Sequence, residues 1–336
     1  MKKILLTTGI LPPDIGGPAY YAIELKKAFE YDGHHITLHS YGWLKHLPTG
    51  IRHSAYGIKL LCSTLFSRPS FIIALDTFSV GFPSAIVGRL VGIPVIIRTG
   101  GDFLWEFYVE RTKEKIVLSD FYLQPRNFTL KEKLIFKYTQ RAFHYASHVV
   151  FSTTYQRDIF LSAYEFDKEK TTIIENHYNP HETSEGHTKK NFICFTRPLV
   201  WKNIETLKLA FEKTKGSSPD ISLETGMLSR SEYLEKLKKC YAVVLVSLGD
   251  ISPNMILEAI AYGKPFILTT ENGIENRITG IGLRVHPQDE KALHDAIIHL
   301  QDPVVYAKEK EKIMQFSFSH SYDEIAEEFL DIAKTL

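Results

Sequence analysis

The sequence is poor in the features that define several common protein classes. Its 336 residues contain only three cysteines, Cys62, Cys194 and Cys240, which are odd in number and far apart. A disulfide framework is therefore not expected. The D-x-D, H-E-x-x-H and Cys/His patterns of common metal sites are missing, as are the P-loop and G-x-G-x-x-G motifs. These absences disfavour a metalloenzyme, a P-loop enzyme and a nicotinamide dehydrogenase.

Neither sign of charge predominates in the whole chain, since the net charge is only +1. Residues 1–180 carry 21 Lys and Arg against 16 Asp and Glu, whereas residues 181–336 carry 19 against 23. The basic first half has two interpretations: an unevenly charged solvated surface, or a face that contacts an anionic membrane or an acidic acceptor. No stretch has the basic and aromatic pattern that predicts nucleic-acid binding.

Long hydrophobic runs are missing as well. The longest apolar region, residues 80–97, is interrupted by Pro83, Arg89 and Pro94, which is not the pattern of a membrane-spanning helix. Lys2 and Lys3 lead into only three apolar residues, so a secretory signal is not expected. The sequence therefore predicts a cytoplasmic protein, with a peripheral position at the inner face of the membrane as the alternative.

What the sequence does contain is a strand, a loop and a helix within residues 243–275. Residues 243–246 are apolar without alternation, as in a strand buried on both faces of a parallel sheet. Ser252 is expected to be the helix N-cap, and Pro253 suits the first helical position. The free amides near Asn254 and Met255 would then form an anion site, for which phosphate is the obvious candidate.

Two carboxylates bracket this helix N-terminus. Asp250 lies in the loop, and Glu258 lies on the second turn of the helix. A carboxylate beside a phosphate is unfavourable unless it accepts hydrogen bonds from neutral hydroxyls, such as those of a ribose or a hexose. The pair therefore indicates a nucleotide sugar, and the alternative is a turn aspartate followed by a solvated helix glutamate.

Two cations follow a second predicted strand, residues 192–195. Arg197 and Lys202 lie between this strand and a predicted helix from Ile204 to Lys213, which Asn203 could cap. Arginine can grip a diphosphate with two hydrogen bonds, and lysine adds a point charge. The alternative is ordinary surface charge.

The first half also reads as alternating strands and helices. Gly16 and Gly17 lie between the first strand and the first helix, where glycines let the backbone approach a ligand, although a simple turn is the alternative. Asp102 follows the predicted strand 94–98 and is an acceptor-side candidate or a helix N-cap. A basic amphipathic helix is predicted over 130–145, with Leu134, Tyr138 and Phe143 packed inside and the cations facing either water or anionic lipid.

In combination, these motifs resemble the family-4 retaining glycosyltransferases, a group 1 family of the GT-B fold. That family has an E-x7-E pattern, followed by a helix end and a glycine turn. The matching residues here are Asp250, Glu258, Ala259, Gly263, Pro265, Asn272 and Gly273. Asp250 departs from the usual glutamate, which shortens its reach by one methylene. The Gly16-Gly17 loop and the Arg197 and Lys202 segment occupy matching places.

The resemblance implies two Rossmann-like α/β domains facing across a cleft. The expected ranges are an acceptor domain over 1–180, a donor domain over 190–318 and a C-terminal helix over 319–336 that crosses back to the first domain. A polar linker, residues 181–190, supports the boundary. Between 219 and 237 only one short strand is indicated, where the family normally has two strand-helix units, so the second domain is expected to be compact.

The resemblance further implies transfer of a hexosyl group from a nucleoside-diphosphate sugar to a glycan, lipid-linked or small-molecule acceptor, in polysaccharide biosynthesis and without a cofactor or metal. It assigns catalysis to Asp102, Arg197, Lys202 and Asp250. The donor would contact Gly16, Gly17, Arg197, Lys202, Asp250, Ser252, Asn254, Met255 and Glu258. A GT-B sugar-nucleotide epimerase and a non-catalytic nucleotide-sugar binding protein remain alternatives.

Overall fold

The computed structural model describes residues 1–11, 17–44, 46–187, 189–216 and 218–336. Contacts between residues divide this part of the chain into two compact units. Unit 1 comprises Met1–Leu104, Asn127–His177 and His320–Leu336, and unit 2 comprises Trp105–Arg126 and Tyr178–Ser319. The predicted ranges differ from this division in one segment, because 105–126 lies in unit 2.

Unit 1 is built on a six-stranded parallel sheet in the order β2-β1-β3-β4-β5-β6. The four inner strands are mostly apolar and buried, because the helices that connect parallel strands cover both faces of the sheet. The strands are β1 (Lys3–Thr8), β2 (His35–Ser40), β3 (Phe71–Ala74), β4 (Val95–Arg98), β5 (His148–Phe151) and β6 (Thr171–Ile173).

Seven helices lie wholly or partly in this unit. They are α1 (Gly17–Tyr31), α2 (Thr49–Ser67), α3 (Phe82–Val91), the start of α4 (Phe103–Thr112), α6 (Leu130–Tyr145), α7 (Thr154–Tyr164) and α13 (Tyr322–Thr335). Helix α6 has the predicted bounds, but Leu134 is exposed rather than packed. The buried face of α6 is instead formed by Ile135, Thr139, Ala142 and Phe143, because the helix turns that side toward its neighbours.

The last helix, α13, packs inside unit 1. Its apolar stripe, Ile325, Phe329 and Ile332, joins the same buried cluster as Leu25 and Phe29 of α1. His177 is the last residue of the second segment of unit 1. Its ring stacks on Tyr322 at the start of α13, and its Nδ1 is hydrogen-bonded to the His320 carbonyl. Through these two contacts, His177 connects the end of its segment to α13.

Unit 2 has a five-stranded parallel sheet in the order β11-β10-β9-β7-β8. Its strands are β7 (Lys190–Phe195), β8 (Ile221–Gly226), β9 (Ala242–Leu245), β10 (Phe266–Thr269) and β11 (Leu283–Val285). Its helices are α5 (Leu118–Phe121), α8 (Ile204–Lys215), α9 (Arg230–Lys239), α10 (Asn254–Ala261), α11 (Glu290–Leu300) and α12 (Pro303–Met314), together with most of α4.

Strand β9 is buried along its whole length at the centre of this sheet. Glycine closes helix α10 as expected, since Gly263 has φ +62°, the left-handed conformation that ends helices without steric cost. Across the described ranges, no helix combines the length and the apolar composition that crossing a membrane would require.

Candidate functional site

The site in unit 2 lies at the point where the order of its strands reverses. From β7, the chain continues to β8 on one side of the sheet, while β9 pairs with β7 on the other side. The loops after β7 and β9 therefore lie at the topological switch point, on the carboxyl edge of the sheet. Open α/β sheets bind ligands at such a switch point.

Lys202 and Asp250, which come from these two loops, form an ion pair. Lys202 Nζ lies 2.6 Å from Asp250 Oδ2, and the Ser247 hydroxyl donates to the same oxygen at 3.1 Å. The two side chains are 15% and 12% exposed, so the pair is shielded yet still reachable from solvent. Lys202 Nζ also lies 4.2 Å from the centre of the Trp201 ring. The sequence-predicted cation and carboxylate are thus neighbours.

Asn203 ties the two loops together. It adopts φ +57°, a left-handed conformation that asparagine tolerates better than most residues. Its side-chain amide donates to the Val246 carbonyl at 3.1 Å and to the Pro287 carbonyl at 2.7 Å. Asn203 is the N-cap of α8, as the sequence predicted, but its side chain caps no backbone amide, since its Oδ1 accepts from the Thr206 hydroxyl at 2.7 Å.

A segment distant in sequence, residues 105–126, supports both loops from within unit 2. The Leu248 amide donates to the Trp201 carbonyl at 2.8 Å, and the Leu118 amide donates to the Leu248 carbonyl at 3.0 Å. A Cβ at Gly249 would lie 2.6 Å from Leu118 Cβ and 3.1 Å from the Trp105 ring. Only glycine fits immediately before Asp250, so this contact determines where the carboxylate lies.

The N-terminus of α10 differs from its prediction by one residue. Pro253, not Ser252, is the N-cap, and its carbonyl accepts from the amides of Ile256 and Leu257. Proline has no side-chain acceptor, so it leaves the amides of Asn254 and Met255 uncapped by its own side chain. The Ser252 hydroxyl is buried and has no hydrogen-bond partner in the described part of the chain. An anion here would meet uncapped amides and a hydroxyl donor.

Glu258 is buried on the second turn of α10 and pairs with Arg230. Arg230 Nη1 contacts Glu258 Oε1, while about half of the Arg230 side chain remains exposed. Burial, together with the nearby Glu258 carboxylate, raises the pKa of Tyr233 well above its usual range, so this hydroxyl stays protonated. Glu258 is therefore paired with one cation, whose side chain is half exposed to solvent.

Arg197 follows β7, and its side chain is exposed. It takes part in no ion pair within the described ranges, unlike Lys202. Unit 2 thus presents one shielded and one solvated cation on a single loop, and the shielded one contacts Asp250 in the loop before α10. Such an arrangement can neutralise a diphosphate, because each phosphate gains a cation or backbone donors.

The remaining predicted residues belong to unit 1. Asp102 is buried, and its Oδ1 accepts from the Leu104 amide at 3.1 Å, a contact typical of the helix-cap alternative. Gly17 is the exposed first residue of α1. Gly16 lies outside the described residues. The acceptor-side role of Asp102 and the donor role of the two glycines stay predictions.

Sequence reasoning missed four contributors to the site. Arg230 and Tyr233 follow a helix start signalled by Ser229 and Glu232, but nothing local indicated that they reach Glu258. Ser247 was assigned no role at the site. Glu110, which accepts from the Val200 amide at 2.6 Å, lies in a helix assigned by sequence to the other domain. These partners are separated in sequence, and only tertiary packing brings them together.

Comparison with known proteins identifies a family over part of the chain. Residues 206–302 match the sequence model of the family described as glycosyl transferases group 1. This match covers α8 through α11 and confirms the predicted resemblance to that group in unit 2. No curated protein sequence matches the chain.

Solved structures resemble the chain over its whole length. Sucrose-phosphate synthase from Thermosynechococcus elongatus is 14% identical, with 100% of this chain and 99% of that chain covered and a TM-score of 0.73. HepE of Anabaena in complex with UDP and glucose is 15% identical, covers 100% of both chains and has a TM-score of 0.68. The lipopolysaccharide outer core galactosyltransferase WaaB is 14% identical, with 99% of each chain covered and a TM-score of 0.63.

These likenesses confirm the predicted fold class. The chain has two α/β domains with parallel sheets, as GT-B glycosyltransferase structures do. The finer assignment to family 4 stays a prediction.

Proposed function

We propose that this protein is a retaining glycosyltransferase that transfers a hexosyl group from a nucleoside-diphosphate sugar to an acceptor hydroxyl. The observation that carries the proposal is the Lys202–Asp250 pair at the β7/β9 switch point, in the loop that leads into the N-terminus of α10. A cation and backbone donors suit a diphosphate. A carboxylate at the same place suits the hydroxyls of the attached sugar.

Each donor group then has a partner in unit 2. Arg197, Lys202 and the amides of Asn254 and Met255 hold the diphosphate. Asp250 accepts from hydroxyls of the hexose, and Glu258 accepts from the ribose diol. When the ribose binds, Arg230 either moves away from the Glu258 carboxylate or shares it with the ribose hydroxyls. The half-exposed side chain of Arg230 permits either change.

In the proposed reaction, the bond between the anomeric carbon and the diphosphate oxygen breaks, and its electron pair leaves with the nucleoside diphosphate. The acceptor oxygen bonds to the same carbon from the same face, and its hydroxyl proton passes to the departing diphosphate oxygen. Negative charge grows on the departing oxygen, and preorganised donors stabilise this charge more in the transition state than in the ground state. Lys202 is suited to this role because the Trp201 ring and Asp250 hold it in place.

We expect transfer to be independent of metal ions. The two cations and the helix amides provide the charge that a bridging Mg²⁺ would otherwise supply. Initial rates of transfer measured with excess EDTA should therefore equal the rates without it, and added Mg²⁺ should not raise them. Loss of transfer in EDTA that Mg²⁺ restores would overturn this mechanism.

The donor can be identified by thermal unfolding with UDP-, GDP-, dTDP- and ADP-sugars. A ligand present at about one hundred times its dissociation constant stabilises the folded state by roughly 2.7 kcal/mol. For units of this size, that corresponds to a rise in Tm of several degrees. UDP-glucose is the first candidate, since a solved structure of Anabaena HepE contains it.

The same panel separates the alternatives once a donor is known. A transferase consumes that donor only when an acceptor is supplied. An epimerase would convert the donor without any acceptor, and a binding protein would be stabilised without turnover. No rise in Tm with any member of the panel would contradict the proposal.

The acceptor is proposed to be the hydroxyl of a glycan, free or lipid-linked, or of a small molecule. A cytoplasmic position and a role in polysaccharide biosynthesis follow from that proposal. Contact with an anionic membrane was predicted for the basic helix α6, whose exposed residues include Lys131, Lys133, Lys137 and Arg141. The same helix also exposes Leu130 and Leu134, and a longer row of exposed apolar side chains lies elsewhere in unit 1.

A further inference from the structure

The solvent-facing side of helix α2 is apolar. Ile51, Ile58 and Leu65 are 59%, 65% and 56% exposed, and their spacing of seven residues places them in one row along the helix. Phe66, which follows Leu65 and lies beside the row, is 90% exposed. We call Ile51, Ile58, Leu65 and Phe66 the α2 stripe.

Helix α2 buries its opposite side in the ordinary way. Tyr56, Leu60 and Thr64 are almost fully buried, and they also recur every fourth residue. The helix therefore carries two apolar faces, of which only one is used within the protein. Single exposed apolar residues are common on protein surfaces, but a continuous row of them marks an interaction surface.

The charges around the α2 stripe are of one sign. No Asp or Glu occurs between Asp32 and Asp76, whereas Arg52 and Lys59 lie on α2 and Arg68 follows it. An apolar row flanked by cations is the pattern of a helix that lies in the surface of an anionic bilayer. Each cation near such a surface adds to the attraction, which salt weakens.

We propose that α2 is the membrane-docking surface of this protein, with the α2 stripe inserted among the lipids and the flanking cations against anionic headgroups. The proposed function leaves open where the protein would contact a membrane, and α2 is the surface proposed here. The inference rests on the proposed function only for the purpose of docking, which would be to reach a lipid-linked acceptor. It also moves the membrane contact from α6, where the sequence pattern had placed it, to α2.

Cys62 provides a direct probe of this surface. It is exposed, four residues after Ile58 and three before Leu65, so it lies along the α2 stripe. The other two cysteines, Cys194 and Cys240, are buried, and burial raises the pKa of each thiol to about 12. A maleimide dye applied near neutral pH should therefore label Cys62 alone in the native protein.

The test is flotation of the full chain with phosphatidylcholine vesicles, with and without phosphatidylglycerol. The protein is expected to float only with the anionic vesicles, and less at high salt. A polarity-sensitive dye on Cys62 should shift to the blue with those vesicles and not with phosphatidylcholine alone. Neither measurement needs a nucleotide sugar, so failure here is distinct from failure of the proposed function.

Two variants locate the contact. Ile58→Glu/Leu65→Glu should lower the partition onto anionic vesicles at least tenfold. The matched control, Leu130→Glu/Leu134→Glu, makes the same chemical change at two exposed leucines of α6 and should float like the wild type. Unchanged unfolding cooperativity and an unchanged Tm would show that both variants are folded.

Three results would overturn the proposal. The wild type could fail to float with anionic vesicles. The Ile58→Glu/Leu65→Glu variant could float as well as the α6 control. Third, the dye on Cys62 could shift to the blue as the protein concentration rises without vesicles, and sedimentation could show a dimer that the Ile58→Glu/Leu65→Glu variant does not form. The α2 stripe would then be covered by a second copy of this chain.

Discussion

Replacing Arg197 and Lys202 together by alanine is expected to remove the thermal stabilisation that a nucleotide sugar gives the wild type, and to lower kcat/KM for transfer by at least about a hundredfold. Both cations lie on the loop after β7, and Lys202 is the member fixed by Asp250 and Trp201. Removing preorganised positive charge leaves the growing charge of the leaving diphosphate unbalanced. The carboxylate of Asp250, then unpaired, adds repulsion.

The matched control is Lys208→Ala. Lys208 is an exposed lysine on α8 in the same unit and has the same charge as each residue removed from the site. This variant should keep the rise in Tm with donor and the transfer rate of the wild type. If the double variant retained both, Arg197 and Lys202 would not hold the donor, and the proposed site would be wrong.

Asp250→Asn is expected to lower kcat/KM by about ten- to 150-fold. A hydrogen bond to a charged group contributes roughly 1.5–3 kcal/mol, and asparagine keeps the shape of aspartate without its charge. Two effects act together here. The sugar hydroxyls lose a charged acceptor, and Lys202 loses the partner that fixes its ammonium group at 2.6 Å.

Asp250→Glu separates charge from reach. The resembled family usually has glutamate at this position, so this variant should retain more activity than Asp250→Asn. Tm without ligand must be measured for both, because the Lys202–Asp250 pair is mostly shielded from solvent and its loss also destabilises the fold. Wild-type kinetics in the asparagine variant would show that the carboxylate charge has no part in transfer.

The sequence patterns that succeeded were local. Helix α6 has the bounds predicted from its periodicity. The apolar strands β4 and β9 were placed within a residue of their observed ends, because a strand buried on both faces must be apolar throughout. Helices α2 and α12 were missed. Helix α2 has apolar residues on both sides, which hides the one-sided periodicity that identifies a surface helix.

The part of the candidate site that was predicted also rests on local sequence patterns. Lys202 and Asp250 were chosen because they follow strands, and side chains at the carboxyl ends of neighbouring parallel strands converge. The helix start was misplaced by one residue, since Ser252 and Pro253 both suit a helix N-terminus and the surrounding contacts decide between them.

By itself, the sequence determined the alternation of strands and helices, the two-domain GT-B class and the loops that carry the donor-site residues. Tertiary structure alone decided that β9 lies beside β7, that Asn203 joins their loops and that residues 105–126 pack in unit 2 against Gly249. It also decided that Glu258 meets Arg230 and that the α2 stripe faces solvent. The preference of a segment for helix or strand depends on residues close to it in the sequence. These contacts instead join residues that are distant in the sequence and that only the topology of the chain brings together.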